Sequence, residues 1–450
     1  MLKLIVCFSA FLGIISCNSN NTNESPQTMD NKASTNWIKT TNIYEVNVRQ
    51  YTKEGTFNAF VPHLPRLKEM GVKTLWFMPV TPIAQKNKKG TLGSPYAASD
   101  YTTINPEFGT LDDFKNLVKN AHDQGFKVII DWVANHTGWD HKWTKEHPDW
   151  FLKDSATNDF KMASGMEDII ELDFKNKNMR RAMIDAMKFW VKETGIDGFR
   201  ADLAFWVELD FWVEAKAELE KVKPLFWLGE LDPLEKPEYM QVFDAAYTWT
   251  WMHKTREFYE KGLTVLALDS VLQKYVAAPG IKAWFTTNHD ENSWNGTEYE
   301  KYGDAAKALA VFSCTWKGVP LMYSGQELPN NKRLEFFEKD TIEWNNKFEL
   351  ADFYKTILNL HSNHPALNAD ADVQRLETSS NENILAYLRK SGDREVLVIL
   401  NLSKNNNLKF SILDQNVKGR FVNSFSKAES DFNSGKDFIM QAWEFQVFEK

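Results

Sequence analysis

Four short apolar runs, each closing on an ionisable residue, constrain this chain more than any other feature. Lys127-Val128-Ile129-Ile130 runs into Asp131 and then Asn135-His136. Gly198-Phe199-Arg200-Ala201 ends in Asp202, Leu225-Phe226-Trp227-Leu228-Gly229 ends in Glu230, and Ala283-Trp284-Phe285-Thr286-Thr287 ends in Asn288-His289-Asp290. A run apolar at every position suits a parallel strand covered on both faces. Such strands in series, each ending in polar chemistry, describe the C-terminal face of a (β/α)8 barrel. Arg200 stands two places before Asp202, so the two side chains share one side of a strand. There a guanidinium holds a carboxylate ionised and oriented, as a carboxylate nucleophile requires.

The rest of the chain supplies the alternation a barrel needs. Ile43 to Val48 reads as a first strand, Phe60 to Met70 as a helix stopped by Gly71, and Thr74 to Pro79 as a second strand. A polar loop with Lys86 to Lys89 follows, then an amphipathic helix over Leu111 to Gln124 and the strand at Lys127. Residues 137–177 are polar and lack a long helix. They are too many for an ordinary βα loop and read as a subdomain inserted after strand three. A helix over Met179 to Glu193 leads to strand four. Strand six is expected near Val242 to Ala246, strand seven at Ala283, strand eight at Val319 and a closing helix over Leu350 to Ser362. From Pro365 the texture changes to short strands, Ile384–Arg389, Val396–Asn401, Phe410–Leu413 and Phe438–Phe448, separated by Asn, Ser, Gly and Asp.

The four strand-end stretches resemble the four marker regions of glycoside hydrolase family 13, the α-amylase family. They are Asp131-Trp132-Val133-Ala134-Asn135-His136, Gly198 to Asp202, Gly229-Glu230-Leu231 and Thr287-Asn288-His289-Asp290. Ser94-Pro95-Tyr96 through Asp100-Tyr101, with Ile104-Asn105-Pro106 and Phe108-Gly109-Thr110, is similar to the family's segment around strand two. Gly318 to Tyr323 with Gly325-Gln326-Glu327 is similar to its eighth strand. The resemblance covers roughly residues 37–450. It implies a (β/α)8 barrel over 37–364, a small B domain at 137–177 and a C-terminal antiparallel β-sandwich domain over 365–450.

Retaining cleavage of an α-glycosidic bond needs one ionised carboxylate nucleophile and one protonated carboxyl acid. Asp202, beside Arg200, fits the first. Glu230, behind Trp227 and Leu228, fits the second, because desolvation disfavours its charged form. The resemblance implies that Asp290 is the third carboxylate, holding sugar hydroxyls and stabilising an oxocarbenium-like transition state. It further implies sugar contacts from Tyr96, His136, Arg200 and His289, whereas Asp131 reads as a residue that fixes the strand-three loop. Where many relatives carry a Lys-His pair after the nucleophile, this chain has Phe205 and Trp206, so Trp206 offers a stacking face instead. Ser94 replaces the family's histidine two places before the stacking tyrosine. The resemblance also implies a candidate calcium site at Asn135 with Asp168 and Asp173 as oxygen donors. No organic cofactor is implied.

Residues 1–17 read as a signal sequence, with Lys3, a short apolar stretch over Leu4–Ile15 and a lipobox-like Ile14-Ile15-Ser16-Cys17. A plain signal peptide with a chance cysteine is the alternative. Residues 18–36, rich in Asn, Ser and Thr, read as a flexible tether. The expected protein is therefore exported and lipid-anchored through Cys17, at a periplasmic or surface face of the outer membrane. Only Cys314 then remains in the folded part, so no internal disulfide is available. A net charge of −8 argues against nucleic acid as a partner. The 17 Trp and 31 Phe provide flat faces for sugar rings as well as core. The expected function is hydrolysis of α-1,4 bonds in starch or maltodextrins. Within the same chemistry, a neopullulanase or cyclomaltodextrinase, an α-glucosidase and a glucan transglycosylase stay open. A reading of another class, a non-catalytic surface glycan-binding protein, requires that one of the three carboxylates be lost.

Overall fold

A computed structural model describes residues 35–345, 347–433 and 435–450. The expected signal sequence with Cys17, and the expected tether up to residue 34, lie outside the described residues. Among the described residues, no helix is long and apolar enough to cross a membrane.

The chain begins with strand β1 (Ile43–Val46), followed by helix α1 (Leu64–Met70) and β2 (Thr74–Phe77). Helix α2 (Leu111–Asp123) starts at a reciprocal cap in which Thr110 and Asp113 satisfy each other's backbone N–H, and leads to β3 (Lys127–Trp132). The insertion contributes an antiparallel pair, β4 (His136–Gly138) and β5 (Ile169–Glu171), before helix α3 (Lys177–Thr194). Then come β6 (Gly198–Ala201), α4 (Leu209–Leu219), β7 (Phe226–Gly229) and β8 (Ala245–Tyr247). Helices α5 (Trp249–Lys261) and α6 (Val265–Ala277), β9 (Ile281–Trp284), α7 (Ala306–Thr315), β10 (Val319–Tyr323) and α8 (Ala351–Asn363) complete the ring.

The eight parallel strands close in the order β1-β10-β9-β8-β7-β6-β3-β2. Trp76, Ile129, Phe226, Leu228, Tyr247, Phe285 and Leu321 belong to one buried apolar cluster, and a larger cluster packs the strands against the helices. Burial of each such side chain contributes about 1.5–3 kcal/mol, which is why every barrel strand is buried almost end to end. Gly198 is set by close approach: a Cβ there would lie 2.0 Å from the Phe226 carbonyl oxygen, so any larger residue would part β6 from β7.

Three expected elements differ. The helix over Phe60 to Met70 is a 3-10 turn at Val61–His63 followed by the short α1, because Pro62 and Pro65 supply no N–H. Strand six is Ala245–Tyr247 rather than Val242–Ala246; Asp244 turns its carboxylate back to accept from the Trp227 N–H at 2.9 Å. The single expected strand Phe438–Phe448 is two, as the C-terminal domain shows.

That domain holds β11 (Asp372–Leu376), β12 (Ile384–Ser391), β13 (Arg394–Asn401), β14 (Leu408–Ser411), β15 (Arg420–Asn423), β16 (Glu429–Asp431), β17 (Asp437–Met440) and β18 (Phe445–Glu449). A six-stranded antiparallel sheet, β11-β12-β13-β18-β15-β16, and the β14-β17 pair share one apolar core around Leu397, Ile399, Phe410 and Phe448. Trp443, at φ 58°, turns the chain between β17 and β18, which join different sheets.

Candidate active site

The C-terminal ends of the barrel strands surround a cavity of about 390 Å³, within the range of small-molecule sites. Asp202, Glu230, Asp290, Tyr96, His136 and Asp168 line it, with Lys89, Ser94, Leu203, Trp294, Phe336 and Phe337. Asp202 directly follows β6 and Glu230 directly follows β7, whereas Asp290 lies six residues past β9 and Asp168 just before β5.

Arg200 is the hub beneath this cavity. Fully buried, its guanidinium lies 4.9 Å from the Trp76 ring centre. Nη1 donates to Asp202 Oδ1 at 2.8 Å and to Asp131 Oδ1 at 2.9 Å, and Nε donates to the Tyr247 hydroxyl at 3.2 Å. Nη2 lies 2.9 Å from Glu230 Oε2 but out of line for a hydrogen bond. Glu230 Oε2 instead accepts the Leu203 N–H at 2.8 Å. Leu203 adopts φ 39°, a left-handed conformation unusual for leucine, and this bond helps to hold it there.

The two carboxyls therefore have different settings. Burial raises Glu230 to about 7 against the pull of Arg200, with Asp202 and Asp290 adding to the rise. Burial also raises Asp202, opposed by Arg200 and reinforced by Asp131 and Asp290. Asp202 and Glu230 repel one another, so the cluster shares its protons. The aligned charge-assisted hydrogen bond to Asp202, which Glu230 lacks, favours the ionised form of Asp202 over that of Glu230.

A second chain of contacts runs across the cavity floor. Tyr96 stacks on His289 with ring centres 5.4 Å apart and 15° between planes. Its hydroxyl donates to Asp131 Oδ2 at 3.0 Å and lies 2.8 Å from His289 Nε2. His289 Nδ1 meets Glu45 Oε1 at 2.5 Å, and its Nε2 is 3.3 Å from Asp290 Oδ2. Burial lowers the His289 pKa, but Asp290 and Glu45 overcome it and raise it to about 9, so the ring is an imidazolium. His136 is the opposite case: burial lowers it to about 4, leaving it neutral, and its buried Nε2 has no protein partner. That atom is free for a sugar hydroxyl.

The structure separates the sequence-derived contacts into layers. Tyr96 and His136 line the cavity. Arg200 and His289 lie beneath the lining, Arg200 as the support of Asp131 and Asp202 rather than as a sugar contact. Trp206 lies in the 3-10 turn Ala204–Trp206, edge-on to Phe205 at 6.3 Å and outside the cavity lining. Sequence reasoning missed Glu45, Tyr247, Lys89, Trp294, Phe336 and Phe337. Only Glu45 carried a signal: a carboxylate inside a fully buried strand must find a partner.

The calcium donors expected at Asn135, Asp168 and Asp173 each have another polar neighbour. The Asn135 amide lies 3.4 Å from His136 Nδ1, Asp168 Oδ1 is 2.8 Å from the Lys89 ammonium, and Asp173 Oδ1 accepts from the Lys175 N–H. A cation already pairs with the buried Asp168 carboxylate. Among the described residues, no group of three His, Cys, Asp or Glu side chains is placed to hold a metal.

A family model described as "Alpha amylase, catalytic domain" matches residues 18–164 and 147–366. Alpha-amylase 2 of Dictyoglomus thermophilum is 23% identical over 421 residues, spanning 83% of this chain and 71% of that relative. Among solved structures, an α-amylase from Lactobacillus plantarum superimposes with a TM-score of 0.82 at 27% identity, covering 92% of this chain and all of that one. A noncanonic maltogenic α-amylase from Thermotoga neapolitana gives 0.80 at 29% identity, covering 92% of this chain and 97% of that chain.

Proposed function

The chain belongs to the α-amylase family of glycoside hydrolases, and from that premise we propose that it cleaves α-1,4-glucosidic bonds of starch or maltodextrins with retention of configuration. Asp202 attacks the anomeric carbon as that carbon's bond to the glycosidic oxygen breaks, and Glu230 passes its proton to the leaving oxygen. The product of this step is a glycosyl ester on Asp202. Glu230, now ionised, takes a proton from water; the water oxygen bonds to the anomeric carbon and Asp202 leaves, restoring both groups. Asp290 binds hydroxyls of the reacting sugar, which rests on Tyr96, and the His289 imidazolium beneath them holds Asp290 and Tyr96 in place. Arg200 is the positioning residue.

The observation that carries this reading is the unequal hold of one guanidinium on two carboxyls: aligned with Asp202, misaligned with Glu230. A glycan-binding protein has no use for that asymmetry, and it predicts a lost carboxylate, whereas Asp202, Glu230 and Asp290 all line the cavity. The test incubates the purified protein with soluble starch and maltoheptaose and resolves products by chromatography. Binding without release of any product would favour the non-catalytic reading. Products longer than the substrate would favour transglycosylation.

Export and lipidation at Cys17 form the cellular part of the proposal, supported by the apolar stretch and the lipobox-like residues before it. Membrane fractionation tests it: Cys17→Ala should release the protein from the membrane fraction, and unchanged membrane association would contradict the anchor.

A further inference from the structure

One side of the cavity is walled. Starting from the insertion, Asp168 Oδ1 binds Lys89 Nζ at 2.8 Å, joining the insertion to the loop after β2. That loop is in turn fastened to the loop after β10. The Thr91 N–H donates to Glu338 Oε1 at 2.9 Å, the Thr91 hydroxyl donates to Glu338 Oε2, and the Leu92 N–H donates to the Phe337 carbonyl at 3.1 Å. Contact is so close that a Cβ on Gly90 would lie 2.6 Å from Phe337 Cβ; with φ 61° as well, glycine is required there. Arg49 braces the same loop from below, donating to the Gly93 carbonyl at 3.0 Å.

The wall continues into the segment after β9. Ser293 Oγ donates to the Leu334 carbonyl at 2.7 Å, Asn292 Oδ1 accepts the Leu334 N–H at 2.9 Å, and Trp294 packs on Phe336 with ring centres 5.4 Å apart. Phe336 also stacks beside Tyr96, 6.1 Å away and 22° from parallel. The aromatic floor therefore runs from Tyr96 to Phe336 and meets the barrier within a ring or two.

Its position on the barrel gives the wall a polarity. In the closed strand order, β7 is diametrically opposite β1, and β2 and β10 flank β1. The loops that build the wall thus face Glu230 across the barrel mouth. The acid must sit by the leaving oxygen, so the departing portion of the glucan extends on the Glu230 side. The portion transferred to Asp202 extends the other way, toward the wall, and in an α-1,4-glucan that portion carries the non-reducing end.

We propose that the wall of Lys89, Phe336, Phe337 and Trp294 makes this protein act from chain ends, removing one or two glucose units from the non-reducing terminus of an α-glucan. The inference rests on the hydrolase reading above and adds its mode of attack. The wall fixes specificity by obstruction rather than by a new attraction.

Two p-nitrophenyl maltoheptaosides, one free and one with an ethylidene cap on the terminal non-reducing glucose, test it with the purified protein. The free substrate should yield glucose or maltose as first products, and the capped substrate should be cut at least about 100-fold more slowly. Lys89→Ala combined with Phe337→Ala should open the wall and raise the capped-to-free rate ratio by about tenfold or more, while far-UV circular dichroism reports that the variant is folded. Equal rates on both substrates, with a ladder of longer first products, would overturn the wall's role and leave the hydrolase reading standing. Cleavage of neither, with binding of both, would overturn the two together.

Discussion

Arg200 Nη1 donates to Asp202 Oδ1 at 2.8 Å from the same side of β6, so the charge that holds the proposed nucleophile comes from its own strand. The same nitrogen serves Asp131, and the neighbouring nitrogen stands beside Glu230. A lysine keeps the charge but has no planar fork to span three carboxyls. Arg200→Lys should therefore lower kcat by about 100-fold or more, with far-UV circular dichroism unchanged. A loss below threefold would show that charge alone suffices.

Glu230 must be protonated to act as the acid. Its pKa is raised to about 7, chiefly by burial, so it holds its proton below that pH and loses it as pH rises through that value. The kcat/KM profile should fall on the alkaline side of about 7, and the falling limb should vanish for substrates whose leaving group needs no proton, such as a glucosyl fluoride. An alkaline limb that stays with the fluoride would assign that limb to another group.

Glu45 reaches the site only through His289. With the charge of Glu45 removed, burial should lower the His289 pKa, so Glu45→Gln is expected to shift the imidazole titration downward, as read by proton NMR. KM for maltotriose should rise by about tenfold, since a neutral ring no longer holds Asp290 and Tyr96 in place for the sugar. An unmoved His289 titration would show that Asp290 alone keeps the ring charged.

Because Lys89 neutralises Asp168 and the expected donors have other partners, chelation should leave the protein intact. Dialysis against EDTA is expected to change Tm by less than about 2 °C and to leave starch hydrolysis unchanged. A Tm that falls with EDTA and returns with calcium would show that the insertion rearranges to bind it.

The barrel and the three carboxylates were legible because their signals are local: an apolar run, then an acid, repeated in order. Arg200 and Asp202 could even be placed on one face from their spacing of two. Glu45, Tyr247 and Phe336 could not be assigned, since each reaches the site across tens to hundreds of residues and no local pattern marks such a contact. His289 contacts Glu45 across 244 positions. The Asp168–Lys89 pair was hidden for the same reason, and it turned an expected calcium donor into the anchor of a wall. Trp206 was read as a stacking face because it stands where many relatives carry a Lys-His pair, and the structure sets it edge-on to Phe205, outside the residues that line the cavity.

The central claim is that Asp202 and Glu230 carry out a double displacement. The most direct measurement is the anomer first released from maltoheptaose, followed by proton NMR within the first turnovers, for the parent, Asp202→Asn and Glu230→Gln. The account predicts the α-anomer from the parent and a loss of about 10³-fold or more in each variant. Release of the β-anomer, or full activity in either variant, would contradict it.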